Sequence, residues 1–420
     1  MTEKKPSFYM WTVGCQMNKA DSAHLEAELV ARGYAPTCVL EEADIVVLNS
    51  CVVRQSAENR VLSKLSSLRA LKRARPQAVI AVTGCLVDGN LGELQRRFPH
   101  VDSFFAPQAF QGFLSTVQPM AEAPAPPGDK AQVCAFVPII SGCDKYCTYC
   151  IVPYRRGRER SRPTEEIICE VERLAARGVR EVTLLGQNVD SYGHDLPDKP
   201  DLAALLYSLN SVGGLARIRF LTSHPQDMTE RLIRAVAELE KVCEHINLPV
   251  QAGDDEILRR MGRRYTVAQY RDLVSHIQET MPDVSLSTDV IVGFPGEREE
   301  QFERSFALLR ELRFDTVHVA AYSPRQGTAS ARLADDVTSA EKKRRLQAVE
   351  ALQENIATEK NAGLVGQRVE VLVEQHKGDK WEGRTRINKI VHFSDESERL
   401  GQLVDVVVEK SSPWALQGRT

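Results

Sequence analysis

The chain has 420 residues, of which 43% are hydrophobic and 26% are charged, and its net charge is −3. These values exclude a disordered or collagen-like polymer, and the length predicts two or three domains. No apolar run approaches the roughly 18–20 residues that cross a bilayer, and no signal-peptide core is visible, so we expect a cytoplasmic protein without membrane contact. Because the chain is not basic overall, nucleic-acid binding would have to use local patches.

The first predicted domain, residues 6–118, alternates buried strands with amphipathic helices. The strand candidates are Phe8–Val13, Asp44–Leu48 and Ala78–Val82, and the helical stretches between them are Asn18–Arg32 and Arg54–Ala74. This order predicts a small doubly wound α/β domain. The proline-rich stretch PMAEAPAPPGDK at 119–130 predicts a linker after it.

A longer α/β alternation follows in the second predicted domain, residues 131–362. Its six strand candidates are Cys134–Ile140, Glu181–Leu185, Ala216–Leu221, His245–Val250, Val284–Val292 and Thr316–Ala321. Six strands separated by helical patterns predict a closed or partial parallel (β/α) barrel. Such a barrel has its chemistry at the carboxyl ends of its strands.

The third predicted domain, residues 363–420, follows a charged helix at Ser339–Asn361. Its strand candidates are short: Gln367–Glu374, Trp381–Phe393 and Gln402–Val408. They predict a small β-barrel of the OB-like type. The aromatic Trp381 is surrounded by basic residues, a pattern typical of RNA binding. These are Lys377, Lys380, Arg384, Arg386 and Lys389.

Ten cysteines are the unusual feature of the composition, and in a cytosolic chain they favour thiols, metal ligands or catalytic groups over disulfides. Cys143, Cys147 and Cys150 form a C-x3-C-x2-C set after the first barrel strand. Three thiolates at this spacing can bind three irons of an iron–sulfur cube and leave the fourth iron open. The alternative is a zinc site that lacks a ligand, but structural zinc prefers four ligands and C-x2-C pairs. The spacing therefore favours an open cluster.

A second set of three cysteines is dispersed in the first domain. Cys15, Cys51 and Cys85 each follow a predicted parallel strand. Ligands of open α/β sheets bind outside the carboxyl ends of the strands, so these thiols could converge on a second open cluster. The alternative is three ordinary buried thiols. We interpret the other four cysteines as such thiols: Cys38, Cys134, Cys169 and Cys243.

Polar residues and glycines follow four of the barrel strands, where a barrel holds its ligand. They are Gly186, Gln187, Asn188, Ser223, His224, Gln251 and Gly293. Turn chemistry explains any one of them equally well, and the whole set favours a cofactor or substrate site. Among them, His224 is a candidate acid or base.

An arginine run, YRRGRERSR at Tyr154–Arg162, directly follows the cysteine loop. Such a run is usually a solvated face, but beside a ligand site it would attract phosphate groups. We therefore predict RNA contacts from this run and from the third domain. The candidates are Arg155, Arg156, Arg158, Arg384, Arg386 and Lys389.

Taken in chain order, several segments resemble the MiaB-type radical S-adenosylmethionine (SAM) methylthiotransferases. They include VGCQMNKADS, LNSCVVRQSAE, GCDKYCTYCIVPYRRGRERSR, LLGQNVDSYG, TSHP, LPVQAGDDEILRRMGRRYT, DVIVGFPGE and GRTRINKIV. The resemblance covers practically the whole chain. It implies an N-terminal methylthiotransferase domain, a radical-SAM barrel and a C-terminal TRAM domain that binds RNA. In that family the compact cysteine set corresponds to ligands of the SAM cluster, the dispersed set to ligands of an auxiliary cluster, and Tyr149 to an aromatic beside the adenine of SAM.

The resemblance implies a sulfur-group transferase that puts a methylthio group on C2 of N6-isopentenyladenosine beside the anticodon of tRNA. It implies two [4Fe-4S] clusters and two uses of SAM: one methylates a sulfur at the auxiliary cluster, and the other yields a 5′-deoxyadenosyl radical. The implied partners are the tRNA anticodon stem-loop, an electron donor such as flavodoxin or ferredoxin, and a sulfur source.

Related subfamilies modify threonylcarbamoyl-adenosine in tRNA or an aspartate of a ribosomal protein. The segments VPYRRGRERSR and LPVQ look more like the isopentenyladenosine group. A hypothesis of another class is a non-catalytic iron–sulfur RNA-binding protein, but an open iron on each cluster argues against a purely structural role. Two departures from the family pattern, QAGD at 251–254 in place of QSGS and RQG at 325–327, bear on local contacts more than on the reaction.

Overall fold

The computed structural model describes residues 6–51, 55–87, 91–118 and 132–420. The chain forms two compact units, one from residues 1–130 and 151–157, the other from residues 131–150 and 158–420. The predicted linker at 119–130 lies outside the described residues, as does Arg54 at the start of a predicted helix.

The first unit contains a five-stranded parallel sheet of order β2-β1-β3-β4-β5. Its strands are β1 Ser7–Thr12, β2 Ala35–Pro36, β3 Ile45–Ser50, β4 Val79–Gly84 and β5 Ser103–Phe104. Its helices are α1 Gln16–Ala31, α2 Gln55–Ala74, α3 Leu91–Arg97, α4 Phe110–Leu114 and α5 Val152–Arg156. The three predicted strands are confirmed, and the two additional ones are too short to produce an apolar pattern.

Helices cover both faces of this sheet, as the side-chain alternation of β3 requires. Val46 and Leu48 pack in a core cluster with apolar residues of α2, whereas Ile45 and Val47 pack in another cluster with residues of α1. Successive side chains of a strand point to opposite faces, so a strand that is apolar at every position must be buried on both. The prediction of a doubly wound α/β domain is confirmed.

The second unit begins with eight strands: β6 Cys134–Pro138, β7 Ile140–Ser141, β8 Arg160–Ser161, β9 Glu181–Leu185, β10 Arg217–Phe220, β11 His245–Asn247, β12 Ser285–Val292 and β13 Thr316–Ala321. Six of them pair in parallel, whereas β7 and β8 form a short antiparallel pair. Two sheets, of order β10-β9-β6 and β11-β12-β13, are joined by a parallel bridge from Ile218 to Val242. No ladder joins β6 to β13 within the described residues, so the predicted barrel is partial.

Helices cover the outside of the partial barrel. They are α6 Thr164–Ala176, α7 Leu202–Asn210, α8 Glu230–Glu238, α9 Asp255–Arg260, α10 Val267–Thr280, α11 Glu299–Leu312 and α12 Ser339–Ala362. The start of α10 follows from sequence, since Thr266 and Gln269 form a capping box there. Among the described residues, none of the helices combines the length and the apolar character that crossing a bilayer requires.

A closed five-stranded barrel of order β14-β15-β16-β18-β17 ends the chain, which confirms the predicted small barrel. Its strands are β14 Arg368–Lys377, β15 Lys380–Thr385, β16 Ile390–Ser394, β17 Leu403–Ser411 and β18 Leu416–Arg419. The segment Trp381–Phe393, predicted as one strand, is two strands joined by a turn. Asn388 has a φ of 64° in that turn, a conformation that asparagine tolerates better than most residues.

The end of β15 and the turn that follows it pack against the amino ends of the β/α barrel strands. Arg217 donates to the Arg384 carbonyl at 2.5 Å, and Arg219 donates to the carbonyls of Thr385 and Arg386 at 2.7 and 2.6 Å. The side chain of Arg217 is fully buried. The small barrel thus covers the end of the β/α barrel that lies opposite the predicted ligand site.

We expect Arg217→Ala to lower the free energy of unfolding of this unit by about 3 kcal/mol, because it leaves buried carbonyls without a donor. Arg217 also pairs with the Glu370 carboxylate at 2.9 Å. Arg231→Ala is the matched control, since that arginine likewise pairs with a carboxylate, that of Asp201, but its side chain is 60% exposed. Its loss should cost less than about 1 kcal/mol. Urea unfolding compares the two variants, and equal effects would contradict this account of the interface.

Candidate functional site

The loop between β7 and α5 carries the compact cysteine set, and its three thiols are partly exposed. Thr148 at its centre donates its backbone N–H to Met261 O at 2.9 Å and its hydroxyl to Arg260 O at 2.8 Å. The Cys150 N–H donates to the Cys147 carbonyl at 3.0 Å. These bonds hold an irregular loop in one conformation, with the sulfurs of Cys143, Cys147 and Cys150 available to a ligand.

The three thiols of this loop are a local set of soft sulfur donors. In an iron–sulfur cube each thiolate binds a different iron, so three ligands leave one iron open. Burial raises the pKa of Cys143 to about 11, so iron would replace a proton on that sulfur. Soft sulfur donors at this spacing therefore fit an open [4Fe-4S] cluster.

Arg263 is a site residue that the sequence analysis missed. Its Nη1 lies 3.6 Å from Cys147 Sγ, its Nη2 donates to Pro249 O at 2.7 Å, and its Nε donates to Tyr265 Oη at 2.8 Å. Only 7% of this residue is exposed. Arg263 therefore places a buried positive charge beside one sulfur of the compact cysteine set. Its only sequence signal is the segment GRRYT, where nothing distinguishes it from the neighbouring arginine.

A polar cavity of about 320 Å³ lies beside the cysteine loop. It is lined by Asp144, Lys145, His224, Gln226, Asp227, Gly262 and Arg264. Lys145 pairs with Asp227 at 2.7 Å, which fixes opposite charges on the wall. Burial, together with the cations Arg263 and Lys145, lowers the pKa of His224 to about 2. This histidine is neutral near pH 7, so it has no imidazolium proton to donate.

The strand-end residues after β9 support the cysteine loop and the cavity wall. The side-chain oxygen of Gln187 accepts from the Gly142 N–H at 2.6 Å, and Asn188 Nδ2 donates to Asp227 at 2.6 Å. A side chain at Gly186 would collide with Ile140, because a Cβ there would lie 2.4 Å from a methyl carbon. The structure brings Gln187 and Asn188 to the predicted site, and their contact with SAM stays a prediction.

The other predicted cofactor contacts are more dispersed. Gln251 has a φ of 73° and is bridged to β12. The Gly293 N–H donates to the Glu297 carboxylate at 2.5 Å, and a Cβ at Gly293 would lie 2.4 Å from the Lys342 side chain. Tyr149 is partly buried against the barrel core, and burial raises its pKa. Contact of these three residues with SAM also stays a prediction.

In the first unit, the dispersed cysteines lie at one edge of the sheet. Cys51 and Cys85 directly follow β3 and β4, and Cys15 lies three residues after β1. The Cys85 N–H donates to Ser50 O at 2.8 Å. Gly14 approaches so closely that a Cβ there would lie 2.8 Å from the Cβ of Cys51. The three cysteines therefore follow strands that end at the same carboxyl edge, and their role as ligands of one cluster stays a prediction.

Two buried asparagines that the sequence analysis did not single out support this edge. The Cys15 thiol donates to Asn18 Oδ1 at 3.3 Å, and Asn18 Nδ2 donates to Asn49 Oδ1 at 2.9 Å. Asn49 Nδ2 in turn donates to the Asn18 carbonyl at 2.8 Å. Both asparagines are fully buried. They fix the first turn of α1 against the end of β3, and with it the position of Cys15.

The arginine run does not form one solvated face. Arg158 is exposed and pairs with Asp144 at 2.8 Å in the second unit. Arg156 belongs to the first unit, pairs with Asp21 at 2.9 Å, and has a side chain that is only 4% exposed. Arg155 also belongs to the first unit. The solvated-face alternative is therefore wrong for Arg156.

The predicted RNA contacts of the small barrel form ion pairs within the second unit. Arg386 pairs with Glu244 at 2.7 Å, and Lys389 pairs with Asp315 at 2.8 Å. Arg384 lies 3.2 Å from a carboxylate oxygen of Glu374. RNA would have to compete with these carboxylates, so RNA contact by these three cations stays a prediction.

Asp190, which contacts His224 of the cavity wall, should make the stability of the protein depend on pH. Burial raises its pKa to about 7, and its carboxyl group meets the Ser223 hydroxyl and the His224 N–H at 2.9 and 3.0 Å. A pKa raised on folding gives stability that is complete below the unfolded pKa of about 3.9 and is lost as the pH rises through 7. An asparagine side chain can replace protonated Asp190, because its oxygen can accept from the His224 N–H and its NH2 group can donate to the Ser223 hydroxyl.

We therefore expect the stability of Asp190→Asn relative to wild type to increase by about 2 kcal/mol between pH 5 and pH 8. Anaerobic urea unfolding at both pH values measures this difference. Asp283→Asn, at an exposed position, should show no such increase. Parallel pH profiles of Asp190→Asn and wild type would contradict the prediction.

Three families match parts of this chain. The Radical SAM superfamily matches residues 137–309, the Uncharacterized protein family UPF0004 matches residues 7–106, and the TRAM domain matches residues 363–420. A solved radical S-adenosylmethionine methyltransferase, TsrM from Kitasatospora setae with cobalamin and a [4Fe-4S] cluster bound, has a TM-score of 0.55. It is 13% identical, with 78% of this chain and 77% of that chain covered, which shows a shared fold alone.

Relatives named tRNA-2-methylthio-N(6)-dimethylallyladenosine synthase are similar over nearly the whole chain. One from Dehalococcoides mccartyi is 50% identical over 422 residues, covering 99% of this chain and 98% of the relative. The one from Roseiflexus sp. is 52% identical over 429 residues, covering 99% and 90%. These similarities confirm the resemblance found in the motifs. The chain belongs to the tRNA-2-methylthio-N(6)-dimethylallyladenosine synthase family of radical SAM enzymes.

Proposed function

We propose that this protein transfers a methylthio group to C2 of N6-isopentenyladenosine next to the anticodon of tRNA. SAM would serve both as methyl donor and as source of the 5′-deoxyadenosyl radical. The observation that carries the proposal is the identity of 50–52%, over 99% of the chain, to the synthases described above. It favours an enzyme over a non-catalytic iron–sulfur protein. Membership of the radical SAM superfamily implies one [4Fe-4S] cluster and SAM.

Cys143, Cys147 and Cys150 would hold the cluster that binds SAM. When bound, the cluster and SAM supply the radical that removes hydrogen from an unactivated C–H bond, which a side-chain base cannot ionise. Arg263 places a positive charge against the Cys147 sulfur and donates a hydrogen bond to it. The charged wall around Lys145 and the strand-end residues described above are the candidates that orient SAM or the nucleoside in the cavity.

A second [4Fe-4S] cluster on Cys15, Cys51 and Cys85 is part of the proposal. It is supported by the common sheet edge, by the close approach of Gly14 to Cys51, and by the position of Asn18 against Cys15. This donor set again contains three sulfurs, which leaves one iron without a protein ligand. That open position would hold the sulfur that is to be methylated.

The substrate partner would be the tRNA anticodon stem-loop, and the TRAM match at residues 363–420 supports RNA binding. Arg158 is the exposed member of the predicted arginine contacts and the one most accessible to phosphate groups. The reaction also needs a one-electron donor, such as flavodoxin or ferredoxin, and a source of sulfur. We place the reaction in the cytoplasm, where tRNA is modified.

Iron counting tests the two clusters. We expect the anaerobically reconstituted chain to contain about eight irons. Replacing Cys143, Cys147 and Cys150 together by alanine should leave about four irons, and so should replacing the dispersed set. The exposed thiol of Cys169 offers the matched control, because Cys169→Ala should retain all of them. A single cluster, or zinc in place of iron, would overturn the proposal of two clusters.

The reaction is tested with SAM, a reductant and tRNA that carries isopentenyladenosine, followed by mass spectrometry of the nucleosides. We expect a methylthio product from the wild type. Cys15→Ala should lose that product yet still form 5′-deoxyadenosine, whereas Cys147→Ala should form neither, because it removes a ligand of the cluster that cleaves SAM. A product seen only with threonylcarbamoyl-adenosine tRNA would assign the protein to the other subfamily.

A further inference from the structure

The segment that carries His224 is held by residues of two neighbouring barrel strands. The backbone N–H of His224 and the hydroxyl of Ser223 donate to Asp190, which follows β9, at 3.0 and 2.9 Å. The backbone N–H of Ser223 donates to the carbonyl of Asn247, at the end of β11, at 3.1 Å. Thr222 has a φ of 72°, which is unfavourable for a β-branched residue. Such strain persists only where the surroundings impose it, and it is concentrated at functional sites.

A hydrogen bond fixes which ring nitrogen of His224 carries the proton. The backbone N–H of Gln226 donates to His224 Nδ1 at 3.2 Å. A ring nitrogen that accepts a hydrogen bond has no proton, so the imidazole is neutral and its N–H is at Nε2. Only 5% of the residue is exposed, and Nε2 has no hydrogen-bond partner within the described part of the chain. Because His224 lines the polar cavity, it offers an uncharged N–H donor to a ligand there.

Arg264 adds a positive charge to the wall of the same cavity. Its carbonyl accepts from Gln226 Nε2 at 3.0 Å, which fixes its backbone beside the histidine segment. The residue is exposed, and its guanidinium forms no ion pair or hydrogen bond with any described residue. The two carboxylates of the wall are already paired, in the ion pairs Lys145–Asp227 and Arg158–Asp144. The charge of Arg264 is therefore available to an anionic ligand.

A neutral N–H donor inside the cavity and an unpaired cation on its wall suit a nucleotide. C2 of adenine, the proposed site of reaction, lies between the ring nitrogens N1 and N3, and both nitrogens accept hydrogen bonds. Proteins read single-stranded RNA through hydrogen bonds to the edges of unstacked bases, and they bind its phosphates with arginine. SAM also contains adenine, but it has no phosphate and its sulfonium is positive. The charge of Arg264 therefore favours RNA over SAM in this position.

We propose that His224 and Arg264 form the subsite for the target nucleotide of tRNA: the Nε2–H of His224 donates to N1 or N3 of the adenine, next to C2, and Arg264 binds a neighbouring phosphate. This inference rests on the proposed function, which defines the base and the reacting carbon. It assigns His224 to substrate recognition instead of acid or base chemistry. It also adds an RNA contact that lies outside the predicted arginine run.

The contact with the base is tested by anaerobic fluorescence anisotropy of anticodon stem-loops bound to the reconstituted protein. The stem-loop carries N6-isopentenyladenosine or its 1-deaza or 3-deaza analogue, in which C–H replaces one ring nitrogen. One of the two analogues should bind the wild type about tenfold more weakly, because it leaves the Nε2–H without an acceptor. His224→Phe should bind the normal stem-loop about tenfold more weakly and should not discriminate against that analogue. His224→Gln, which can place an N–H near the position of Nε2, should recover part of the affinity.

The contact with a phosphate is tested by the salt dependence of the same binding. Each phosphate contact contributes about 0.7–0.9 to the slope of log K against log salt concentration, so Arg264→Gln should reduce the slope by about that amount. Arg259→Gln is the matched control, because that arginine has a side chain that is 73% exposed, pairs with Glu256 and does not line the cavity. It should leave the slope unchanged. An unchanged slope in Arg264→Gln would overturn the phosphate contact.

The outcomes separate this inference from the proposed function. If the wild type forms no methylthio product on isopentenyladenosine tRNA, the proposed function is wrong and this inference with it. If the product forms but the wild type binds both deaza analogues as tightly as the normal stem-loop, the role of His224 is overturned while the function stands. This comparison uses the wild type, so it decides the question even if His224→Phe does not fold.

Cleavage of SAM distinguishes the nucleotide from SAM as the partner of His224. Without RNA, His224→Phe should form 5′-deoxyadenosine at the rate of the wild type, because the proposed contact is with the tRNA base. Loss of 5′-deoxyadenosine formation together with normal binding of the stem-loop would assign the histidine to SAM and overturn the inference.

Discussion

Both candidate centres depend on one constraint of parallel sheets, that strands running in the same direction end at the same edge. Cys15, Cys51 and Cys85 are separated by 36 and 34 residues in the sequence, and each follows a strand of one sheet. The amide of Cys85 bonds to the end of the neighbouring strand, which places the two chain segments side by side. Without this common edge, no local motif would bring three such distant thiols together.

The same constraint positions the compact cysteine set of the β/α barrel in a different way. Here the three cysteines are local in sequence, and the barrel supplies their surroundings. Gln187, after the second barrel strand, holds Gly142 at the start of the cysteine loop, and Asn188 holds Asp227 on the cavity wall. The loop provides the sulfurs, whereas residues at the strand ends hold the loop and the cavity wall in place. Other β/α barrels also have their ligand site at the carboxyl ends of the strands.

Each unit contains a buried arginine. Arg263 lies against Cys147 and Arg156 pairs with Asp21, each with only a few per cent of its surface exposed. The cations of the small barrel are used differently, since Arg386 and Lys389 pair with Glu244 and Asp315 next to the amino ends of the barrel strands. Burial pushes the pKa of Asp315 up, but the lysines Lys389 and Lys360 outweigh it and hold that pKa below its usual value. The role of a basic residue in this chain can therefore be inferred only when its charged partner is known.

The sequence by itself determined the order of elements, because apolar strands that are buried on both faces and amphipathic helices have periodicities that are visible locally. It also determined the six candidate ligands, since cysteine is rare enough for its position after a strand to be informative. Only the tertiary structure decided which cations meet which anions. Arg155, Arg156 and Arg158 lie in one run, yet Arg156 is buried against Asp21 while Arg158 is exposed. The reason is physical: backbone periodicity depends on near neighbours, whereas the partner of a charged side chain depends on residues that are distant in sequence, as with Asp21 for Arg156 and Cys147 for Arg263.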